Sequence, residues 1–332
     1  MASQRANSPS VHLSRIGRNY LPSATRLVQD RVSPWVPATD QQNNAAWNFT
    51  FPQWDESAAL EITDDIMASG EGDNNRQVTT VDMKMTLGTG TVKEHRRKFN
   101  VTQARIQQFG GRASTMARGA RLTSYSVRLA REARIAGILF NTATYPSSSY
   151  YTTLSTATDK FTDKLKSDPK GVFEESRKQV SDMSGQDPNL IIIPHAEALV
   201  LGEHPYILDV IRRDFKGFNS DAFKAGPTEG LPPMIQDMEV LVPKGVYKSS
   251  AGNIAEARSH IWNSGIWIGY VNSSPTPIED EASFMYTFFT RRIETFEGQA
   301  NDGTEDEYVV TAGFYDEVVV ASRMGYLIES PI

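Results

Sequence analysis

The residues with the most chemical promise sit together near the middle of the chain: His195, Glu197, Glu203 and His204. Imidazoles and carboxylates are the usual protein ligands of zinc and related ions. Their spacing argues against that use. The two histidines are nine residues apart, half a turn out of phase on a helix, and Pro205 follows the second directly. The H-E-x-x-H pattern, which sets two imidazoles on one helical face, is absent. These histidines therefore read as capping or surface groups, and His12, His95 and His260 stand alone. The chain has no G-x-S-x-G elbow, no phosphate loop and no G-x-G-x-x-G fingerprint. Gly88-Thr89-Gly90 reads as a turn rather than a nucleotide cradle. With no cysteine, thiolate metal sites, disulfides and cysteine nucleophiles are excluded. The sequence thus offers no catalytic residue, no metal site and no cofactor site.

What the chain does carry is segregated charge. Its 332 residues are 39% hydrophobic and 22% charged, the balance of an ordinary folded protein with room for about two domains. The net charge of −6 conceals strong polarity. Met1 to Arg31 holds five arginines against one acid, and Lys93 to Arg134 holds eleven Lys/Arg against two acids. Glu294 to Ile332 holds nine acids against one arginine. Such patches hold charged partners, or offset one another within the fold. No apolar run reaches the roughly 20 residues of a membrane span, and the N-terminus lacks the apolar core of a secretion signal. The expectation is a chain made in a cytosol without a membrane anchor.

The elements that must position these groups follow from periodicity. Residues 1–55, with Pro9, Pro22, Pro34, Pro37 and Pro52, show no sustained period and are expected to run extended. Their many aromatic rings need something to pack on, which suggests a strap over another surface. Val81, Met83, Met85 and Leu87 alternate with polar residues, a strand pattern. With Gly88-Thr89-Gly90 as its turn and a return from Thr91 through the basic set Lys93 to Lys98, it predicts a β-hairpin. Residues 103–143 are helical, with the main helix beginning near Ser114. Its apolar stripe is Leu122, Tyr125, Leu129, Ala133, Ala136 and Phe140, which leaves Arg121, Arg128, Arg131 and Arg134 on the flank and outer face. Residues 152–275 read as mixed α/β. Ser167-Asp168-Pro169 starts a helix with inward Phe173, Ser176, Val180 and Met183. Leu190 to Ile193 is a buried strand, and Pro194 and His204-Pro205 open two further helices. Residues 276–332 are a strand meander with a tip near Gln299 to Gly303.

This order resembles the major capsid protein of tailed bacteriophages, the Hong Kong 97-type fold. The resemblance is most specific over Thr162 to Gly217. There the Ser-Asp-Pro helix, the turn Gly185-Gln186-Asp187-Pro188-Asn189, the strand Leu190 to Ile193 and the helix His204 to Ile211 follow the family's central domain. Arg128 to Phe140 is similar to its spine helix.

The resemblance implies an α+β fold: an N-arm (1–55), an extended E-loop hairpin (56–102), a P-domain spine helix (103–145), an α/β A-domain (146–275) and P-domain C-terminal strands (276–332). It implies a shell subunit with no catalytic residue and no cofactor, located in the virion and assembled in the host cytoplasm. Partners would be many copies of itself in hexamers and pentamers, a separate scaffolding protein, a portal, packaged double-stranded DNA held without sequence preference, and room for a decoration protein. Val81, Met83, Lys84, Met85 and Leu87 would make E-loop contacts between subunits. Arg121, Arg128, Arg131 and Arg134 would face DNA or a neighbour. Some members join subunits through a Lys–Asn isopeptide bond assisted by a glutamate, for which Lys84, Asn301 and Glu305 are of the right types. Two rival readings remain: an encapsulin-like protein compartment with the same fold, and a nucleic-acid-binding regulator that uses the basic helix. A metal-dependent enzyme ranks below both.

Overall fold

The computed structural model describes residues 10–18, 26–39, 47–55, 84–214, 230–248, 258–263, 265–273, 283–299 and 307–332. Two sheets and one long helix organise them. The first sheet has four strands in the order Trp35–Pro37, Met285–Gln299, Glu307–Val319, Lys93–Val101. The second has six, in the order Tyr151–Thr153, Gly325–Glu329, Gly265–Gly269, Leu190–Ile192, Met238–Leu241, Met234–Ile235. Parallel and antiparallel pairs mix within both.

The six-stranded sheet is covered on both faces, which is why its central strands Leu190–Ile192 and Gly265–Gly269 are buried at every position. On one side lie the helices Pro169–Ser184, His195–Gly202 and Pro205–Asp214, with Phe173, Val180, Ala198, Leu201 and Ile207 packed on Ile191, Ile193, Ile266 and Ile268. The first of these helices starts and stops where its sequence directs. Asp168 accepts a hydrogen bond from the Gly171 amide (3.1 Å), Pro169 fills the first turn, and Gly185 ends the helix at φ +70°. Its inward row is Phe173, Ser176, Val180 and Ser184. Met183, expected inside, is 39% exposed. On the sheet's other side, Trp267 and Leu327 meet Trp262, Phe284 and the spine helix residues Ile135 and Leu139.

The spine helix, Arg112–Leu139, thereby joins the two sheets. Its first half packs on the four-stranded sheet, where Gly119 lies so close to Phe99 that a Cβ would stand 2.7 Å from the ring. Met116 and Ala120 share a core there with Val101, Val309 and Leu13.

Three expectations need correction. The first concerns the spine helix's buried stripe. It runs Met116, Ala120, Thr123, Val127, Arg131, Ile135, Leu139, and Leu122 is left 46% exposed. Of the expected stripe Ala136 is buried and Leu129 and Phe140 pack against the core, but the rest of the buried face is built from small residues at close contacts and from charges with internal partners. The second concerns the arm. It is helical at Val11–Arg18 and Gln29–Val32, and Leu13, Val28, Val32 and Val36 bury themselves in this chain's own cores. The third concerns the hairpin. Gly88-Thr89-Gly90 is not a turn: Lys84–Thr91 is one strand, paired antiparallel with Asn48–Asp55 in a two-stranded ribbon. After buried Val92, Lys93–Val101 leaves to join the four-stranded sheet. The glycines are there for space, since a Cβ on Gly88 would stand 2.4 Å from the Phe51 ring and one on Gly90 2.3 Å from that of Phe49. The meander of the last 57 residues forms as expected, with bulges beside Arg291, and its tip lies outside the described residues.

Candidate assembly surfaces

Chemistry at the central histidines resolves into structural roles. His204 Nε2 lies 3.2 Å from Ser167 Oγ, and its Nδ1 accepts from the Tyr206 amide at 3.2 Å, which caps the Pro205–Asp214 helix. Burial lowers its pKa. Glu203 pairs on the surface with Lys164 at 2.6 Å. His195 instead neighbours His260, with ring centroids 5.5 Å apart. Among the described residues no group of three or more His, Asp or Glu could hold a metal ion, and no helix is long and apolar enough to cross a membrane.

The spine arginines divide. Arg134 grips Glu317 with two hydrogen bonds (3.0 and 2.8 Å) and reaches the Tyr315 hydroxyl. Arg131, expected on the outer face, is fully buried. Its guanidinium donates to Asp30, to the Ser33 carbonyl (2.7 Å) and to Thr287 Oγ1 (2.8 Å), and lies over the Trp35 ring. Arg121 is exposed and Arg128 half-buried. The acidic C-terminal segment neutralises part of the basic one within the chain: Lys93 pairs with Asp316, Arg112 with Glu307 and Arg134 with Glu317. An exposed basic surface lies instead on the sheet-edge strand, where Arg96, Arg97 and Lys98 face solvent. Positive residues on an edge also discourage unwanted strand pairing.

Sequence reasoning missed Glu132. It is fully buried, and its carboxylate accepts from the Val28 amide (3.0 Å), the Gln29 amide (2.9 Å) and Trp262 Nε1 (2.7 Å). Burial pushes its pKa up, while the three donors oppose that rise. The available signal was its isolation: it is the one acid in a helix with six arginines.

The ribbon is the surface with least support from its own chain. At its base Phe49 and Phe51 stack on Phe288 (centroids 4.6 and 5.5 Å), and Trp47, 57% exposed, meets Phe314 edge-on. Beyond Phe51 the two strands pair only with each other among the described residues. A lone two-stranded ribbon is marginally stable in water. Lys84, Met85 and Leu87 lie on it, opposite Asp55, Trp54 and Pro52. Val81, Met83, Asn301 and Glu305 lie outside the described residues.

Comparison with known proteins bears on this arrangement. No protein-family model matches the chain. Over 208 residues, 61% of the chain, it is 24% identical to the major capsid protein of Burkholderia phage BcepMu, and the match spans 62% of that protein. Among solved structures, a phage-related protein from Bordetella bronchiseptica RB50 superposes with a TM-score of 0.65 at 18% identity, covering 98% of this chain and 99% of that one. The capsid of Cyanophage P-SCSP1u gives 0.57 at 10% identity, covering 94% and 90%. The chain has the Hong Kong 97-type phage capsid fold. A virus-like particle from Pyrococcus furiosus shares it, with a TM-score of 0.50 at 10% identity and 96% of each chain covered. Because these likenesses run over nearly the whole chain, ribbon, spine helix and both sheets all belong to the capsid fold.

Proposed function

We propose that this chain is the major capsid protein of a tailed bacteriophage and acts by assembling with copies of itself into an icosahedral shell around double-stranded DNA. The observation that carries this reading is the match along nearly the whole chain to phage capsid structures. It is supported by the ribbon, whose two strands pair only with each other among the described residues. Neighbouring copies are the natural cover, arranged as hexamers and pentamers.

In this reading residues 1–55 serve as N-arm, the spine helix and four-stranded sheet as P-domain, and the six-stranded sheet with its helices as A-domain. The E-loop (56–102) contains the ribbon strand Lys84–Thr91, and the arm supplies its partner strand Asn48–Asp55. Val81, Met83, Lys84, Met85 and Leu87 would make the contacts between subunits, and a cross-link through Lys84, Asn301 and Glu305 would show as ladders on a denaturing gel. DNA contact falls to Arg96, Arg97 and Lys98 with Arg121 and Arg128, since Arg131 is buried and Arg134 is taken up by Glu317. The same fact weakens the regulator reading. A scaffolding protein, a portal and a decoration protein are the expected further partners, in the host cytoplasm. The subunit performs no catalysis.

The fold shared with the Pyrococcus furiosus particle keeps a protein compartment as the second reading. Expression and electron microscopy separate the readings: closed particles support a shell, nuclease-protected DNA in native particles favours the phage, and a protein cargo favours the compartment.

A further inference from the structure

The arm segment 26–39 is short, yet it touches both sheets. At its start the Lys244 amide donates to the Arg26 carbonyl (2.9 Å), and Arg31 pairs with Glu239 on the six-stranded sheet. At its end Trp35–Pro37 joins the edge of the four-stranded sheet, in register from Trp35 with Thr287 to Pro37 with Phe289. The Thr287 amide donates to the Pro34 carbonyl and the Ala38 amide to the Phe289 carbonyl.

Between these attachments lies the single helical turn Gln29–Val32, and two consecutive spine residues grip its two ends. Glu132 accepts from the amides of Val28 and Gln29, where a helix presents unpaired N–H groups. Arg131 donates to the Ser33 carbonyl, where a helix presents unpaired carbonyls. Negative charge stands at the N-terminus and positive at the C-terminus, the arrangement the peptide dipoles favour. Each gripping side chain also holds one sheet region. Glu132 takes the indole N–H of Trp262, which packs in the core beneath the six-stranded sheet, and Arg131 takes the hydroxyl of Thr287 on the four-stranded one.

We propose that residues 26–39 form a coupling strap, so that docking of the arm and the packing of the two sheets on the spine helix open and close together, with Arg131 and Glu132 as the positioning residues. The strap is not a passive cover. A charge left buried without its partner is costly, so neither gripping residue tolerates an undocked arm, and strain at either is passed to a different sheet.

Hydrogen exchange on the unassembled full-length chain tests this. Asp30→Asn is the mildest perturbation, because the Asp30 side chain is 58% exposed and touches the strap's grip only through Arg131 and Trp35. Weakening a hydrogen bond to a charged group is expected to speed exchange at the Val28 and Gln29 amides about tenfold. The coupled strap requires a comparable acceleration at two places Asp30 does not touch: Ile261 and Trp262, and Thr287 to Phe289. Arg31→Ala, which removes the pair with Glu239, is expected to give the same pattern from the other side. Lys178→Ala, at an exposed position remote from the strap, is expected to leave all of these rates unchanged. Acceleration confined to the arm, or none anywhere, overturns the proposal.

Discussion

Gly90→Ala should destabilise the ribbon although alanine suits strands no worse than glycine does. The structure supplies the magnitude. A Cβ on Gly90 would stand 2.3 Å from Phe49 Cζ and 2.8 Å from both Cε atoms, well inside contact distance. Phe49 is 1% exposed and stacked on Phe288 at 4.6 Å, so its ring cannot swing aside without opening a cavity. Overpacking of this kind costs about 1–3 kcal/mol. Neither Gly88 nor Gly90 has a positive φ, so the cost is steric alone. Gly137→Ala is the control: it lies on the exposed side of the spine helix with nothing within 4 Å of the added methyl. There the substitution should stabilise by roughly 0.5–1 kcal/mol through helix propensity. Urea unfolding of the unassembled subunit measures both. Combining Gly90→Ala with Phe49→Leu, which trims the clashing ring, should cost less than the sum of the single changes. A Gly90→Ala variant as stable as the wild type would refute the ring-seat reasoning.

Other outcomes follow from single contacts. Asp168→Ala removes the side-chain cap of the Pro169–Ser184 helix and should cost about 1 kcal/mol by thermal or urea unfolding. Burial, reinforced by Arg134, holds the His95 imidazole below its usual pKa range. The unfolded chain therefore takes up that proton first, and stability is lost as pH falls from about 6.5 through the lowered pKa. His95→Phe keeps a ring against Tyr315 and removes the titration. The variant's stability relative to wild type should rise as pH drops from about 7.5 to 5.5, and a constant difference would contradict it. Phe173→Ala, at a fully buried position between Phe161 and the six-stranded sheet, should cost about 3–5 kcal/mol.

Much of this architecture was legible in the residues. Asp168, Pro169 and Gly185 mark a helix by local chemistry that tertiary structure does not override. Leu190 to Ile193 could only be a strand covered on both faces. The spine helix was visible as a helix, but its orientation was not, because Arg131 and Glu132 count as surface residues until their partners Ser33, Thr287, Val28 and Trp262 are known. Those partners are 98 to 156 residues away in sequence. The Gly-Thr-Gly stretch failed for the same reason. Glycine signals a turn when only neighbours are considered, and a ring seat once Phe49 and Phe51 are brought across from 41 and 37 residues earlier. The assembly surfaces were the least legible. Alternation from Val81 to Leu87 predicts a strand, which the structure shows from Lys84 onward, and nothing in it told that the pairing strand begins at Asn48.

The central claim is that this chain completes its fold's contacts among copies of itself. Electron microscopy of the purified full-length protein, with sedimentation across a concentration series, tests that most directly. The account predicts closed, uniform shells, formed alone or once a scaffolding partner is co-expressed. A compact, well-ordered monomer at every concentration, with that partner present, would contradict it.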